Sequence, residues 1–297
     1  MHIVTNEAKP KVFKELSPFQ IGAVPGHRAQ EHLFSIKSII AMVEMTNDTI
    51  GLQLFDCSKM FDREVLVDCM DELYKSNIKG KLYKLIFEMN RDVRIRFRTP
   101  VGESNVKEVG KTVAQGSLEG ALVSTNSVGN GVNDFFKDSD KEVEYGTMKV
   151  LPLQYVDDIG RLTDSPESAQ YGNDKLENLA EIKLLDYNLK KCSILIFGKR
   201  KAREELRMKF EEVIPTLYGE KVTIKDQETY LGDQLGFRVA ESVSLTIKKR
   251  IGLIKKSIYE VRAVVEDCRS KVIGGIKSGV LLWESCLIPF LLYNCST

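Results

Sequence analysis

The spacing of hydrophobic residues along the chain predicts alternating helices and strands. Residues 33–46 carry apolar side chains at intervals of three and four positions, which predicts a helix. Residues 49–58 form a short, mostly apolar run that ends at Asp56, and this length and composition predict a buried strand. A second helical pattern covers residues 81–90. We therefore expect the first part of the chain to alternate between helix and strand.

The segment that follows the first strand, residues 61–76, has the pattern of an amphipathic helix. Asp62 stands at an N-cap position and Glu64 in the first turn. The apolar face consists of Leu66, Cys69, Met70 and Leu73. We expect a helix that begins at Asp62 and packs this face into a core.

Three segments have strand-like patterns on both sides of a turn, which predicts hairpins. The first, 93–110, turns at Pro100–Gly102 and has a strongly basic first arm. The second, 148–165, is a strand, an acidic turn and a strand, and the third, which is shorter, covers 228–239. Between the first two hairpins, residues 115–136 have the pattern of a helix built from small and apolar residues.

The last part of the chain is predicted to contain two helices and another strand. Residues 168–190 have a helical pattern, and residues 190–199 are a strand-like run rich in isoleucine and leucine. From about residue 245 a basic amphipathic helix is predicted. Its apolar face consists of Ile247, Ile251, Ile254, Ile258 and Val261. The order of elements fits an α+β fold in which helices cover one face of a mixed sheet.

Composition narrows the class of protein without indicating an activity. The 297 residues are 43% apolar and 29% charged, which is ordinary for one large globular domain or two smaller ones. With a net charge of +1, any site for a polyanion depends on local basic clusters. The six cysteines and three histidines form no zinc-ligand pattern. No signal peptide or membrane span is apparent, so we expect an intracellular protein, in the nucleus or cytoplasm, without a membrane partner.

An acidic pair follows an apolar run in QYVDDI, residues 154–159. Ionised carboxylates beside a core are unfavourable unless a cation meets them, so Asp157 and Asp158 either lie in a solvated turn or hold a cation. Asp56 ends another predicted strand, and neighbouring strands of one sheet can bring all three carboxylates together. Such a site suits Mg²⁺, and two such ions can activate a hydroxyl and stabilise a leaving pyrophosphate. Taken alone, the pair is better explained by a solvated turn, because aspartate favours turns.

A series of motifs, in order, resembles the polymerase motifs of reverse transcriptases. The motifs are LQLFDCSKMFD (52–62), AQGSLEGALVS (114–124), LQYVDDI (153–159), NLKKCSILIFG (188–198) and TYLG (229–232). In addition, FQIGAVPGHRAQEHLF (19–34) resembles the Gln-x-Gly…Arg segment that precedes the first carboxylate motif in the non-LTR (LINE-type) retrotransposon branch. The resemblance extends from about residue 17 to about residue 293.

The resemblance implies a right-hand polymerase fold with partial fingers, a palm sheet covered by helices, and a helical thumb. The implied units are a partial fingers segment (1–48), a first palm segment (49–76), a fingers hairpin region (77–114), a second palm segment (115–238) and truncated thumb helices (239–297). The fingers of the family begin well upstream of the segment that matches 19–34. We therefore expect a fragment of a retroelement polyprotein, truncated at both ends, or a shortened gene derived from one.

The resemblance also implies the catalytic residues. Asp56 and Asp157 correspond to the ligands of two Mg²⁺ ions, with Mn²⁺ as a substitute. Asp158 corresponds to a carboxylate that supports them from behind or from the rim of the site. All three are thus implied to be catalytic and to belong to the metal site.

Four other residues are implied to contact the incoming deoxynucleotide. Phe61 would lie under the sugar and leave no room for a 2′-hydroxyl, although it also fits a packing role at a helix start. Gln115 and Gly116 would line the nucleotide pocket, although they also fit a plain turn before a helix. Lys191 would lie near the triphosphate, although outside the family it is best explained as an exposed charge at a strand start.

Contacts to the RNA template and DNA primer are implied at three places. The TYLG segment corresponds to the hairpin that grips the primer. Lys248 and Lys249 on the predicted thumb helix would face phosphates, although an exposed helix face is often rich in lysine. Arg94 and Arg96, with Arg98, form a second basic strip on the fingers hairpin.

Two positions depart from the family pattern and affect the expected nucleotide pocket. Met60 stands where the family usually has a small residue before the aromatic. Glu119–Gly120 replaces the usual residues after the glutamine motif, and a carboxylate there would repel a triphosphate unless it points away.

Three functions are consistent with the sequence. The first is an RNA-directed DNA polymerase domain that extends a primer 3′-hydroxyl with dNTPs by two-metal nucleotidyl transfer. The second is a catalytically inactive, nucleic-acid-binding remnant of a retroelement. The third is a viral RNA-dependent RNA polymerase palm, although such palms usually have glycine before the aspartate pair and another residue at the position of Phe61.

Overall fold

The computed structural model of the chain describes residues 2–46, 48–99, 102–108, 118–145 and 148–267. The helices are α1 (His2–Glu15), α2 (Ala29–Thr46), α3 (Met60–Arg63), α4 (Leu66–Lys75), α5 (Gly80–Asn90), α6 (Leu118–Phe136), α7 (Pro166–Lys183), α8 (Arg200–Glu212) and α9 (Val239–Asp267). The strands are β1 (Thr49–Asp56), β2 (Arg94–Ile95), β3 (Arg98–Thr99), β4 (Gly102–Glu103), β5 (Lys107–Glu108), β6 (Glu144–Tyr145), β7 (Met148–Lys149), β8 (Leu153–Tyr155), β9 (Asp158–Thr163), β10 (Ser193–Gly198), β11 (Thr216–Leu217), β12 (Glu220–Lys221), β13 (Thr223–Lys225), β14 (Glu228–Tyr230) and β15 (Asp233–Leu235). None of the helices in these ranges is both long enough and apolar enough to cross a bilayer.

The largest sheet has five strands in the order β13-β10-β1-β9-β8. Strand β1 is antiparallel to both β10 and β9, β8 is antiparallel to β9, and β13 is parallel to β10. Strand β1 lies in the middle because all its residues except the two terminal ones are buried, and such an apolar strand needs cover on both faces. The predicted buried strand at 49–58 and the α+β class are therefore confirmed.

Side chains along the central strands alternate between two hydrophobic layers. On one face Phe55 packs with α6, α7 and α8, and on the other face Leu54 packs with α2 and the β14–β15 hairpin. The prediction that helices cover one face of the sheet was wrong, because α2 covers part of the second face. Its buried residues Leu33, Ile36 and Ile40 belong to the same cluster as β1 and β10.

A third hydrophobic cluster joins α1, α4, α5 and α6. Leu66, Cys69, Met70 and Leu73 are all buried in it, which confirms the predicted apolar face of this segment. After α5 the chain forms the predicted basic hairpin, in which β2 pairs with β5 and β3 pairs with β4. The tip of this hairpin, Pro100–Val101, lies outside the described residues.

The predicted helix start at Asp62 was wrong. Helix α3 begins at Met60, whose side chain is buried in the core beneath the sheet, and Glu64 turns the chain before α4 begins. Val65 occupies the N-cap position of α4 and provides no side-chain cap. Glu64 is buried and does not lie in a solvated first turn; its carboxylate accepts a hydrogen bond of 3.6 Å from Cys69 Sγ.

Arg161 of strand β9 forms a buried ion pair with Glu142. Arg161 donates to Glu142 at 2.8 Å, and neither side chain is exposed at all. Arg161 also donates to the Gln53 side chain and to the Ser168 carbonyl, each at 2.9 Å. Gly172 on α7 leaves room for the guanidinium, since a Cβ there would lie 2.6 Å from Arg161 Nη1. These hydrogen bonds join β9 to β1 and α7. They therefore fix the position of β9, the strand that begins at Asp158.

Helix α9 confirms the predicted basic helix near residue 245. Asp233 of strand β15 accepts hydrogen bonds from Arg250 of α9 at 2.8 Å and from Lys37 of α2 at 2.9 Å. Asp233 therefore links α9 to the β14–β15 hairpin and to α2. Ile247 and Ile251 on the predicted apolar face are 52% and 47% exposed, so the described residues leave these two side chains largely uncovered. The rest of the predicted thumb, 268–297, lies outside the described residues.

Candidate active site

Two of the predicted catalytic carboxylates lie directly opposite one another. Strand β1 ends at Asp56, β9 begins at Asp158, and the register of the antiparallel pair makes these two residues cross-strand partners. Cβ atoms of such partners are roughly 4.5–5.5 Å apart. The predicted convergence of acidic residues from distant parts of the sequence is therefore confirmed for Asp56 and Asp158.

The third carboxylate, Asp157, lies in the turn between β8 and β9. Tyr155 and Asp158 pair across the hairpin, which leaves Val156 and Asp157 as a two-residue loop. Val156 has a φ of 60°, in the left-handed region that β-branched residues rarely adopt. Such a conformation costs on the order of 1–3 kcal/mol and persists where the surrounding structure imposes it.

Burial and mutual repulsion raise the pKa values of the two adjacent carboxyls. Burial is the largest cause at Asp158, followed by the negative charges of Asp157 and Asp56, and together they raise its pKa to about 6. The pKa of Asp157 is also raised, chiefly by burial and then by the charge of Asp56. Lys191 opposes both shifts, since its positive charge favours the ionised carboxylates.

Lys191 forms a salt bridge with Asp56. Its Nζ donates to Asp56 Oδ1 at 2.8 Å, and its side chain is 62% exposed. The loop before β10 brings it there: Asn188 N donates to the Asp56 carbonyl at 2.9 Å, and Lys191 N donates to the Asn188 carbonyl at 2.8 Å. A lysine 135 residues away in the sequence is thus held beside the end of β1.

An open cleft of about 460 Å³ lies next to these residues. Asp56, Asp158 and Lys191 line the cleft together with the TYLG segment of the β14–β15 hairpin. Lys225 and Glu228, which form an ion pair with each other, also border the cleft. The structure therefore brings together the first acidic motif, the acidic turn, the lysine motif and the TYLG hairpin.

Tyr230 of this hairpin packs beneath the acidic strand ends. Its side chain is buried, and its hydroxyl has no hydrogen-bond partner among the described residues. Gly160, two residues after Asp158, makes this packing possible because a Cβ there would lie 3.1 Å from Tyr230 Oη. Burial, followed by the charge of Asp158, raises the pKa of Tyr230 well above its usual value. The sequence analysis missed Gly160, and only its place two residues after the acidic pair could have indicated it.

The donor set suits a divalent cation chemically, but the side chains as they stand do not enclose one. Asp56, Asp157 and Asp158 supply the carboxylate oxygens that Mg²⁺ prefers, and their mutual repulsion is the kind that a cation relieves. Within the described part of the chain, however, no three His, Cys, Asp or Glu side chains are grouped closely enough to hold a metal ion. Lys191 currently supplies the positive charge at Asp56.

The other predicted site residues lie in different places. Phe61 is partly buried and packs against both the core beneath the sheet and the α1–α4–α5–α6 cluster. Gln115 and Gly116 lie outside the described residues. Lys248 and Lys249 are both exposed. Lys249 Nζ donates a hydrogen bond of 2.9 Å to Thr229 Oγ1 of the TYLG segment.

The basic strip on the β2–β5 hairpin is exposed but already paired with acidic residues. Arg94 contacts Glu108 at 3.3 Å, Arg96 contacts Glu103 at 3.0 Å, and Arg98 contacts the same Glu103 at 3.1 Å. These pairs are largely solvent-accessible, so each contributes little to stability. Phosphates could replace the carboxylates as partners of the arginines.

Comparison of the structure with solved proteins identifies the fold. No protein-family profile and no curated protein matches the chain. Telomerase from Candida albicans, in complex with a TWJ fragment of telomeric RNA, matches with a TM-score of 0.55 at 12% identity, over 80% of this chain and 38% of that one. Apo telomerase from Candida tropicalis matches with a TM-score of 0.54 at 13% identity, over 80% of this chain and 40% of that one.

A form of the Candida tropicalis protein truncated from its C-terminal domain gives a TM-score of 0.53 at 11% identity, over 80% of this chain and 44% of that one. The chain thus spans less than half the length of these structures. At such low identity the similarity establishes the fold and nothing finer. The chain has a reverse-transcriptase-like fold, shared with telomerase.

Proposed function

We propose that this chain is an RNA-directed DNA polymerase domain derived from a non-LTR (LINE-type) retrotransposon. It extends a primer 3′-hydroxyl with dNTPs on an RNA template. One observation carries the proposal: Asp56 and Asp158 are cross-strand partners, beside Asp157, at an open cleft within a reverse-transcriptase-like fold. The order of the motifs along the sequence supports the retrotransposon origin.

Asp56, Asp157 and Asp158 would be the residues that hold Mg²⁺, or Mn²⁺ in its place. The bound metal supplies activation of the primer hydroxyl and stabilisation of the leaving pyrophosphate. For Asp56 to act as a ligand, its oxygen has to exchange Lys191 for the metal. The Lys191 ammonium group borders the cleft, where it would stabilise the negative charge of the nucleotide triphosphate.

Other residues select and orient the substrates. Phe61 excludes a 2′-hydroxyl and so favours deoxynucleotides. The family resemblance assigns Gln115 and Gly116, which lie outside the described residues, to the nucleotide pocket. The TYLG segment contacts the primer end, since it lines the same cleft as Asp56 and Asp158.

Basic residues outside the cleft bind the nucleic-acid backbone. Lys248 and Lys249 on α9 contact phosphates next to the TYLG hairpin, to which Lys249 is already bonded. Arg94 and Arg96 contact template phosphates, in exchange for Glu108 and Glu103. The RNA fragment bound by the Candida albicans telomerase supports a nucleic-acid partner for this fold.

A second function, that of a catalytically inactive nucleic-acid-binding remnant, is favoured by one observation. Lys191 neutralises Asp56, and the described residues contain no ready three-ligand metal group. A remnant would keep the fold and the basic residues while the carboxylates no longer bind metal.

Incorporation of dTTP on a poly(rA)/oligo(dT) primer-template with Mg²⁺ tests the proposal. We expect incorporation by the natural chain and none by the Asp157→Asn/Asp158→Asn variant. Binding of the same duplex, measured by fluorescence anisotropy, serves as the control for folding. A folded protein that binds the duplex but incorporates nothing supports the inactive remnant, and a preference for UTP over dTTP indicates an RNA-dependent RNA polymerase.

A further inference from the structure

The strained turn at Val156 requires a cause outside the hairpin itself. In a two-residue turn with positive φ at the first position, glycine is the usual residue. This chain has valine there, with a φ of 60°. Some contact from another element therefore has to favour this turn over a relaxed alternative.

The side chain of Gln20 supplies such a contact. Its Oε1 accepts hydrogen bonds from Val156 N at 3.2 Å and from Gly22 N at 2.9 Å, and its Nε2 donates to the Val156 carbonyl at 3.4 Å. Gln20 is 2% exposed. One buried amide thus binds both the N–H and the C=O of the strained residue, and it does so from a segment 136 positions away.

Backbone contacts hold Gln20 in this position. Gln154 N donates to the Phe19 carbonyl at 2.8 Å, and Ile21 N donates to the Gln154 carbonyl at 3.1 Å, so residues 19–21 run alongside β8. Gly22 lies so close to the turn that a Cβ would stand 2.2 Å from Val156 N. These contacts explain why the FQIG segment has glutamine and glycine at alternate positions.

We propose that Gln20 is a positioning residue that holds the Val156–Asp157 turn in the geometry required for Asp157 and Asp158 to bind a divalent metal, with Gly22 allowing the close approach. This inference rests on the proposed polymerase function. Gln20 does not border the cleft. It acts on the carboxylates through the backbone of Val156, which directly precedes them.

The proposed role of Gln20 differs from that of an ordinary buried glutamine, whose side chain only satisfies hydrogen bonds in the folded state. A purely structural glutamine would affect stability alone. A residue that imposes the turn geometry would affect metal affinity, and its loss would be compensated by removing the strain at Val156. Glycine at 156 adopts positive φ without steric penalty and therefore needs no such support.

Three variants test the proposal. Gln20→Leu removes all three hydrogen bonds at similar volume. Gln154→Leu is the matched control, because it removes another buried amide from the adjacent strand, one whose Oε1 has no hydrogen-bond partner in the part of the chain that the structure describes. Gln20→Leu/Val156→Gly is the rescue variant, and Val156→Gly alone is its reference.

Each protein is titrated with Mn²⁺ alone, and the free ion is measured by electron paramagnetic resonance. Thermal unfolding and hydrogen exchange of the Val156 amide are followed in parallel. We expect Gln20→Leu to weaken Mn²⁺ binding by roughly 10–100-fold, as loss of a residue that orients a ligand does, and to accelerate exchange of the Val156 amide. We expect Gln154→Leu to keep the Mn²⁺ affinity of the natural chain, and the rescue variant to match Val156→Gly.

The proposal is overturned if folded Gln20→Leu binds Mn²⁺ as well as the natural chain, or if the rescue variant stays as weak as Gln20→Leu. If Gln20→Leu does not fold, the comparison is made in the Val156→Gly background, where equal Mn²⁺ affinity with and without Gln20 supports the proposal and unequal affinity opposes it. Lack of Mn²⁺ binding by the natural chain overturns it as well. Mn²⁺ binding that depends on Gln20, without primer extension, leaves this inference standing while the proposed polymerase function fails.

Discussion

Lys191 donates a hydrogen bond of 2.8 Å to Asp56, so a cation from the chain itself lies at the end of strand β1. The pair is partly open to solvent, with the lysine 62% and the aspartate 25% exposed. Exposed pairs of this kind contribute only about 0–1 kcal/mol, so a divalent ion can displace the lysine easily. The contact is therefore consistent with a metal-free polymerase site and equally with an inactive remnant. Replacement of the lysine distinguishes these two functions.

Lys191→Met is expected to lower the Mg²⁺ concentration for half-maximal primer extension by about two- to fivefold, because the metal no longer competes with a salt bridge worth about 1 kcal/mol or less. The same variant is expected to lower kcat by roughly 10–100-fold, because the triphosphate loses a stabilising cation. Primer extension at varied Mg²⁺ measures both effects. Lys190→Met, which removes the same charge from the same cleft without breaking a bond to Asp56, is the control. An unchanged kcat would contradict the role proposed for Lys191 at the triphosphate.

Metal affinity is expected to fall when the pH drops below about 6, because the pKa of Asp158 is raised to about 6 and the protonated acid is a poor ligand. The cause of the shift is burial first, and then the charges of Asp157 and Asp56. Titration with Mn²⁺ between pH 5 and pH 8 measures the dependence, with the pH range chosen as about one to two units on each side of the expected pKa. In Asp158→Asn the part of the dependence centred near pH 6 should disappear. If the dependence persists in that variant, Asp158 is not the titrating group.

The free energy of unfolding should also depend on the protonation of Asp158. It should fall as the pH rises, whereas metal affinity should increase. The pKa of Asp158 is raised in the folded chain, so the folded state binds more protons than the unfolded state between the ordinary value of 3.8 and about 6, and stability falls as the pH rises through this range. Asp158→Asn should therefore stabilise the metal-free chain at neutral pH, by about 1–2 kcal/mol after allowance for water at this open site. The gain should vanish in acid, below the ordinary pKa of an aspartate. Urea denaturation with excess chelator measures it, and Asp164→Asn, at an exposed position beyond the end of β9, is the control.

Much of this fold could be predicted from the sequence because its strands and most helices have clear hydrophobic periods. Strand β1 is a compact apolar run that ends at Asp56, and the structure confirms both its burial and its place in the sheet. Helix α8 could not be recognised in this way because only Leu206 and Phe210 are buried among its charged residues. The start of α3 was misplaced because the burial of Met60 depends on contacts with distant elements, which no local cap signal reveals.

The candidate site shows the same division between local pattern and tertiary contact. The motifs identified Asp56, Asp157 and Asp158, but which of them face each other depends on the register between β1 and β9. The structure pairs Asp56 with Asp158 and leaves Asp157 in the turn. The role of Gln20 was equally inaccessible, because its partner Val156 is distant in sequence and the strain at Val156 is visible only in the backbone.

The buried Arg161–Glu142 pair leads to a prediction about stability. Glu142→Ala should reduce the free energy of unfolding by about 3–5 kcal/mol, because it leaves a fully buried guanidinium without its counter-ion. Replacement of both residues, as Arg161→Met/Glu142→Leu, should restore a large part of that loss. Chemical denaturation measures all three proteins. The exposed pair Lys137–Asp134 is the control, since Asp134→Ala should change stability by less than about 0.5 kcal/mol. A small effect of Glu142→Ala would mean that water reaches Arg161.

The close contact between Gly160 and Tyr230 provides a test of how the TYLG hairpin is attached to the acidic strands. Gly160→Ala places a methyl group 3.1 Å from the buried Tyr230 hydroxyl, which should destabilise the chain by about 1–3 kcal/mol and widen the gap between hairpin and sheet. Tyr230→Phe should compensate, because it removes the oxygen that the methyl group meets. Alone, Tyr230→Phe should keep or slightly raise stability, since the lost hydroxyl has no partner among the described residues.

The comparison of the two single variants and the double variant by urea denaturation gives the coupling energy between these positions. Gly236→Ala, directly after the β14–β15 hairpin, is a suitable second glycine, because its Cβ would meet the flexible side chains of Glu241 and Leu245 at 3.0 Å. It should show no coupling to Tyr230→Phe. Coupling at Gly160 but not at Gly236 would establish that the tyrosine packs beneath the strand that bears Asp158. Equal and additive effects at both glycines would mean that the hairpin does not make this contact in solution, and the TYLG segment would then line the cleft in a different way.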